Sequence, residues 1–206
     1  MRDVFAHGGD IHTSTAALVN GVPIEQVTKQ MRSAAKAVNF GIVYGISDFG
    51  LSQNLHITRK QAAATIDQYL NTYPRIRSYM DACIAQGKTD GYVTTLFGRR
   101  RYTPELRSKN YNQRSFGERI AMNAPIQGTA ADIIKAAMIA VYDRLAKELP
   151  DAKLILQVHD ELIVDCAPQD AEKVQQLMHA CMEHVVELSV PLEVEVSQGE
   201  NWLEAK

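Results

Sequence analysis

Apolar residues recur every three or four positions along most of the first 150 residues, and the pattern shifts toward β-branched runs after that. Ile24 to about Tyr44 (IEQVTKQMRSAAKAVNFGIVY) has the helical period and is rich in Ala, Gln and Lys, with Gly45 as a stop. Thr58 can cap the N-terminus of TRKQAAATIDQYL. Pro74 suits the first turn of PRIRSYMDACIAQ, which is expected to end near Gly87. The β-branched and aromatic residues of YVTTLFGRRRYTP flank a glycine-containing turn and predict a small basic hairpin. A helix over Asn112 to Asn123 approaches Pro125, which cannot continue it without a kink or break, so a second helix is expected from about Gln127 to Leu149. The strands LILQV and LIVDC, a helix from about Gln169 to Glu187 and a last alternating strand, LEVEV, complete the pattern. A mostly helical part followed by β-β-α-β predicts an α+β fold: a helical subdomain, then a partial antiparallel sheet with packed helices.

Composition narrows the function classes. With 206 residues and 46% hydrophobic content, the chain is long enough for one large domain or two small ones with a real core. No apolar stretch approaches the roughly 18 residues of a membrane span, and the N-terminus lacks the apolar core of a signal peptide. Cys83, Cys166 and Cys181 have no C-x-x-C spacing, which fits reduced thiols in a cytoplasmic protein better than a disulfide framework or a zinc site. The net charge of −2 conceals an asymmetry. Gly91 to Arg119 holds seven basic and two acidic residues, net +5, whereas Asp160 to Lys206 holds two basic and eleven acidic, net −9. Such a division suits a polyanion-binding face beside a solvated acidic one, and also ordinary surface charge.

Three residue sets could carry chemistry. Arg32, Lys36, Phe40 and Tyr44 recur at i+4 and form one stripe on a helix, two cations followed by two aromatics. That order can meet a phosphate chain and then a flat base; it can equally be a solvated cationic turn running into core aromatics. Arg119, Asn123 and Gln127 form a second i+4 row, able to track a duplex groove or simply to be a polar helix face. The third set is His159-Asp160-Glu161 between two apolar strands. Adjacent strand residues point to opposite faces, so one carboxylate is the better cation ligand; a plain acidic turn is the alternative. No Ser/His/Asp order, H-E-x-x-H pattern or P-loop is present.

Taken together, these sets carry a family resemblance. DIHTSTA (10–16), RSAAKAVNFGIVYG (32–45), GYVTTLFGRRRYTPEL (91–106), ERIAMNAPIQGTAADIIKAAM (118–138), LQVHDELIVD (156–165) and GENW (199–202) resemble the C-terminal part of the family A DNA polymerases, the bacterial DNA polymerase I type. The resemblance covers essentially the whole chain, with its motifs in family order. It implies a right-hand fold with 1–9 as a remnant of palm, 10–106 as fingers and 107–206 as the C-terminal part of the palm. It implies that Arg32, Lys36 and His12 hold an incoming dNTP triphosphate, that Phe40 packs on its sugar and base, and that Tyr44 and Gly45 lie at the insertion site. Arg119, Asn123 and Gln127, with Arg101 of the basic hairpin, would contact the DNA primer–template, and His159 the primer terminus. Asp160, Lys36 and Glu161 would form the catalytic set, with Asp160 as a metal ligand. The implied reaction is attack of a primer 3′-hydroxyl on an α-phosphate with release of pyrophosphate, assisted by two Mg²⁺ ions.

One family motif is missing from these residues. A segment close to D-Y-S-Q-I-E, which supplies the other metal-binding aspartate, lies upstream of DIHT in the family, and Met1-Arg2-Asp3 begins too late to contain it. Neither Asp3 nor Asp10 has the apolar strand context of a substitute. The isolated chain is therefore expected not to extend a primer. It is also expected to expose a palm sheet edge that invites self-association. A non-catalytic primer–template or nucleotide binding module is the alternative function.

Overall fold

The computed structural model describes residues 1–205. The chain divides into two compact units, 1–127 and a second that begins at Gly128. The first holds helices α1 (Arg2–Ala6), α2 (Ile11–Asn20), α3 (Lys29–Val43), α4 (Asp48–Leu55), α5 (Arg59–Thr72) and α6 (Pro74–Asp90), and the strands β1 (Tyr92–Thr94) and β2 (Arg100–Tyr102). Helix α7 (Tyr111–Glu148) begins in the first unit and ends in the second, which adds β3 (Lys153–Val158), β4 (Glu161–Asp165) and α8 (Ala171–Glu183). The α+β class is as expected, with two separate two-stranded antiparallel sheets.

Local chemistry sets most of the boundaries. The Thr58 hydroxyl accepts from the Gln61 N–H and the Gln61 side chain accepts from the Thr58 N–H, a reciprocal box that opens α5. Pro74 sits in the first turn of α6, where its missing N–H has no intrahelical partner to lose. Helix α6 runs past the expected stop at Gly87 and ends at Gly91, which takes the left-handed conformation.

Several expectations are corrected. Ile24–Gln26 forms a separate 3-10 turn, and α3 starts only at Lys29, because the Thr28 hydroxyl accepts from the Met31 N–H and fixes the start there. Helix α7 runs through Pro125 without the expected boundary. The proline removes one i→i−4 bond, whereas buried Ala121 and Met122 before it and Ala137, Val141 and Leu145 after it anchor the 38-residue helix on both sides. Helix α8 stops at Glu183, not Glu187. LEVEV forms no strand: Val194 and Val196 pack on the second unit's core, and the Val194 N–H donates to the Glu183 carboxylate at 3.2 Å instead of to a neighbouring strand. Helices α2 and α4, which the hydrophobic pattern does not single out, are capped by Asp10 and Ser47.

The cores follow from the periodicity. In the first unit, Val38 and Ile42 of α3 meet Leu51 of α4 and Ala62, Tyr69 and Leu70 of α5. The i+4 row Ala137, Val141 and Leu145 of α7 packs on Leu162 of β4 and on Val174, Leu177, Met178 and Cys181 of α8 in the second. Leu145 is 2% exposed at the centre of that cluster, so Leu145→Ala is expected to destabilise the second unit by about 2–5 kcal/mol. Urea unfolding followed by helical circular dichroism checks this; a loss under about 0.5 kcal/mol would contradict the packing described.

Candidate functional site

Four of the residues singled out from the sequence converge where α2 meets α3. Ala35, Val38 and Ile42 turn one face of α3 inward, and the neighbouring face presents Arg32, Lys36 and Phe40. The Lys36 ammonium lies 6.0 Å from the Phe40 ring centroid, and Phe40 remains 48% exposed. His12, the second residue of α2, stacks obliquely on Phe40 with 5.5 Å between ring centroids. Two cations, an imidazole and an exposed aromatic thus share one surface, an arrangement that can hold a chain of phosphates beside a flat ring.

Asp10 organises this surface, although the sequence pattern gives it no such role. Its Oδ1 accepts from the backbone N–H groups of His12 at 2.9 Å and Thr13 at 3.3 Å, capping α2. Its Oδ2 accepts from the Thr13 hydroxyl at 2.8 Å and from Arg32 Nε at 2.5 Å. One carboxylate therefore fixes the start of α2 and ties it to α3. The Arg32 guanidinium holds the Asp10 carboxyl well below the usual carboxylate range, helped by the Thr13 hydroxyl and the two N–H groups and opposed by burial. Burial pushes His12 below the ordinary histidine value; the charges of Arg32 and Lys36 push the same way and Asp10 opposes them, so the surroundings favour the neutral ring.

Behind His12 lies a buried polar chain. Thr15 is fully buried and Asn39 nearly so, inside an otherwise apolar contact between α2 and α3. The Asn39 side-chain amide N–H donates to His12 Nδ1 at 3.0 Å and faces Thr15 Oγ1 at 3.2 Å. The Thr15 hydroxyl donates to Asn39 Oδ1 at 3.3 Å and lies 3.3 Å from the Tyr73 hydroxyl. A polar residue between Val38 and Phe40 was the one sequence signal for this chain, and the helical period alone does not distinguish it from a solvent-facing position.

The stripe continues into a second group. Tyr44 caps α3, half exposed, and Gly45 follows with φ of +69°, outside the range that side-chain-bearing residues favour. A Cβ at Gly45 would stand 2.9 Å from Met122 Cε and 3.0 Å from Arg119 Cγ, so α7 passes directly over this turn. The Asn123 amide donates to the Tyr44 carbonyl at 3.3 Å, while its Oδ1 is buried with no hydrogen-bond partner. Arg119 is exposed, its guanidinium 5.8 Å from the Phe116 ring. A cleft of about 440 Å³ opens between Phe40, Tyr44, Gly45, Ser47, Asn54 and Arg119. Two sets that were separate in the sequence, the α3 stripe and the α7 row, are thus one surface up to Asn123. Gln127, exposed one turn further on, closes the first unit. Arg101 is exposed on β2 opposite Val93, its guanidinium donating to the Tyr102 carbonyl at 3.3 Å.

In the second unit, Val158 pairs with Glu161, so His159 and Asp160 alone form the two-residue tip and Glu161 opens β4. His159 has φ of +51°, an uncommon value for a side-chain-bearing residue, as the first central position of such a tight turn requires. The Asp160 carboxylate is exposed at the tip and Glu161 is half-buried. Among the described residues, no three His, Cys, Asp or Glu side chains converge into a cation cage. The donor set fits one arm of a Mg²⁺ site, because Mg²⁺ takes one or two carboxylates together with substrate phosphates.

The model of DNA polymerase family A matches residues 1–204, and the chain belongs to that family. It is 53% identical over 206 residues to DNA polymerase I of Bacillus subtilis, and 53% identical over the same length to that of Geobacillus stearothermophilus. All of this chain is covered in both cases, but only 23% and 24% of those relatives, so it spans about a quarter of their length. Among solved structures, the POL domain of Pol1 from M. smegmatis, in complex with DNA primer-template and dNTP, matches with a TM-score of 0.92 at 40% identity over 98% of this chain and 36% of that one. No helix among the described residues is long and apolar enough to cross a membrane.

The Asp10–Arg32 pair sets a pH dependence. The folded carboxyl lies below its unfolded value of 3.8, so the pair's contribution is present above about pH 4 and is lost as pH falls through the folded value. Both side chains are more than a third exposed, which limits the pair to about 0.2–1 kcal/mol. Asp10→Asn keeps a good cap and should lose only that amount near pH 7, whereas Asp10→Ala should lose about 1 kcal/mol more. Urea unfolding at pH ~7 and ~3 checks this; equal losses for the two variants at both pH values would contradict it.

Proposed function

We propose that this chain supplies the nucleotide-holding fingers and the C-terminal part of the palm of a DNA-directed DNA polymerase, with 10–106 as fingers and 107–206 as palm. The observation that carries the reading is the convergence of Arg32, Lys36, His12 and Phe40 on one face at the α2–α3 contact. The family membership and a structural relative solved with primer-template and dNTP support it. In the reaction, a primer 3′-hydroxyl attacks the α-phosphate of a dNTP, forming the new phosphodiester while pyrophosphate leaves.

Each residue has a role that its chemistry suits. Arg32 presents a planar fork and Lys36 a point charge to the β- and γ-phosphates, offsetting the negative charge that accumulates on the leaving pyrophosphate. His12 donates to a phosphate oxygen, and Phe40 packs on the sugar and base. Tyr44 and Gly45 border the cleft that receives the new pair. Arg119, Asn123 and Gln127 run along α7 as primer–template contacts, and Arg101 adds a phosphate contact from the basic hairpin. His159 meets the primer terminus, and Asp160, beside Glu161, is the residue that would hold Mg²⁺. The bound ion supplies positive charge at the reacting phosphate. A role in replication and repair in the cytoplasm goes with this reading.

Two outcomes test the proposal. With dATP and a primer–template followed separately by fluorescence titration, Arg32→Ala and Lys36→Ala should each weaken dATP binding about tenfold and leave duplex affinity near wild type. Arg119→Ala should do the reverse and lower the salt slope of duplex binding by about one. Uniform effects of all three on both ligands would contradict the division of roles. These 206 residues offer a single aspartate at the metal position, so they are expected to give no template-directed extension of a labelled primer with Mg²⁺ and dNTPs; incorporation would show that one carboxylate suffices.

A further inference from the structure

The buried chain behind His12 has a direction. The Tyr73 hydroxyl can donate to Thr15 Oγ1 at 3.3 Å, which leaves the Thr15 proton for Asn39 Oδ1. The carboxamide turns its N–H end toward both Thr15 Oγ1, at 3.2 Å, and His12 Nδ1, at 3.0 Å. A neutral imidazole has one donor and one acceptor nitrogen, and an N–H pointing at Nδ1 makes that nitrogen the acceptor. The proton must sit on Nε2. We infer that Asn39 is a positioning residue that fixes His12 as its Nε2–H tautomer, so that a neutral ring presents an N–H donor to a nucleotide triphosphate. The phosphate half of this inference rests on the nucleotide reading of the surface; the tautomer half stands on the hydrogen bonds alone.

The surroundings explain why a tautomer lock matters here. The titratable and charged groups facing the ring are Asp10 at the α2 cap, Arg32 and Lys36 on α3, and Tyr73 beyond Thr15. Burial and the two cations favour the uncharged ring, against the opposing charge of Asp10. A charged imidazole would donate from both nitrogens in any setting, but a neutral one does so only from the nitrogen that carries the proton. With the proton on Nδ1, the other nitrogen would turn a lone pair toward the phosphate oxygens. A buried amide costs desolvation unless it is satisfied, and Asn39 is satisfied through Thr15 and His12.

The lock is testable by reading the ring nitrogens directly. In the full 206-residue chain labelled with ¹⁵N-histidine, two-bond ¹H–¹⁵N correlation distinguishes protonated from bare ring nitrogens, and loss of one set of peaks in His12→Gln assigns the ring. The expected result is a bare Nδ1 and a protonated Nε2. Asn39→Asp replaces the facing N–H by an acceptor. It should move the neutral-form proton to Nδ1 and raise the ring's proton affinity. Binding of dATP to that variant should then weaken about tenfold at mildly alkaline pH and recover as the ring charges, whereas wild-type affinity stays flat over the same range. Asn39→Ala should weaken the tautomer preference without the new pH dependence. A wild-type ring protonated on Nδ1, or an Asn39→Asp chain with wild-type tautomer and flat dATP affinity, overturns the inference. A protonated Nε2 whose resonances are unmoved by dATP overturns its phosphate half and removes His12 from the proposed nucleotide contacts, leaving the lock itself standing.

Discussion

The candidate nucleotide surface depends on one carboxylate. Asp10 caps α2 with one oxygen and holds Arg32 of α3 with the other. Without that double use, the start of α2 and the first cation of the α3 stripe would have no common reference. An exposed ion pair contributes little to global stability. Its value here is geometric: Arg32 is held in a defined position at one edge of the surface, where an incoming anion of higher charge can compete for its fork. The buried Thr15–Asn39 contact does the complementary task deeper between the same two helices, because a satisfied polar pair admits one register of α2 on α3, whereas an apolar contact tolerates several.

The second constraint is the turn after α3. Gly45 is required twice, once by its positive φ and once by the closeness of Arg119 and Met122. That close passage is what joins the α3 stripe to the α7 row, with the Asn123 amide reaching the Tyr44 carbonyl. In the proposed reading, the nucleotide end and the duplex end of the first unit meet at a residue with no side chain, and the cleft lined by Phe40 and Tyr44 opens beside it.

Much of this was legible in the chain itself. The i+4 stripe from Arg32 to Tyr44 and the row from Arg119 to Gln127 could be read because helical period maps directly onto a face. The hairpin was legible because two apolar runs enclosed the polar His159-Asp160-Glu161, although Glu161 proves to open β4 and not to belong to the tip. What was not legible depended on tertiary partners. Asn39 looks like a solvent-facing polar position until Thr15 and His12 are placed beside it. Asp10 reads as part of a motif, and its hold on Arg32 spans 22 positions. Pro125 obeys a local rule that buried residues on both sides override. LEVEV alternates like a strand, but alternation makes a strand only where a neighbour offers a ladder, and none pairs with it among the described residues.

The second unit contributes a single, simply built element to the proposed chemistry. A two-residue turn with a left-handed His159 sets Asp160 at the tip of an antiparallel pair, and the α7–α8 core beneath holds Leu162 of that pair in place. The central claim, that the α2–α3 face is a triphosphate site assembled by this chain's own contacts, is tested most directly by titrating the ¹⁵N-labelled chain with dATP in the absence of DNA and metal, and following every backbone amide. Saturable shifts centred on His12, Thr13, Arg32, Lys36 and Phe40 are expected, with His159, Asp160 and Glu161 unmoved. Shifts centred elsewhere, or none at saturating nucleotide, would contradict it.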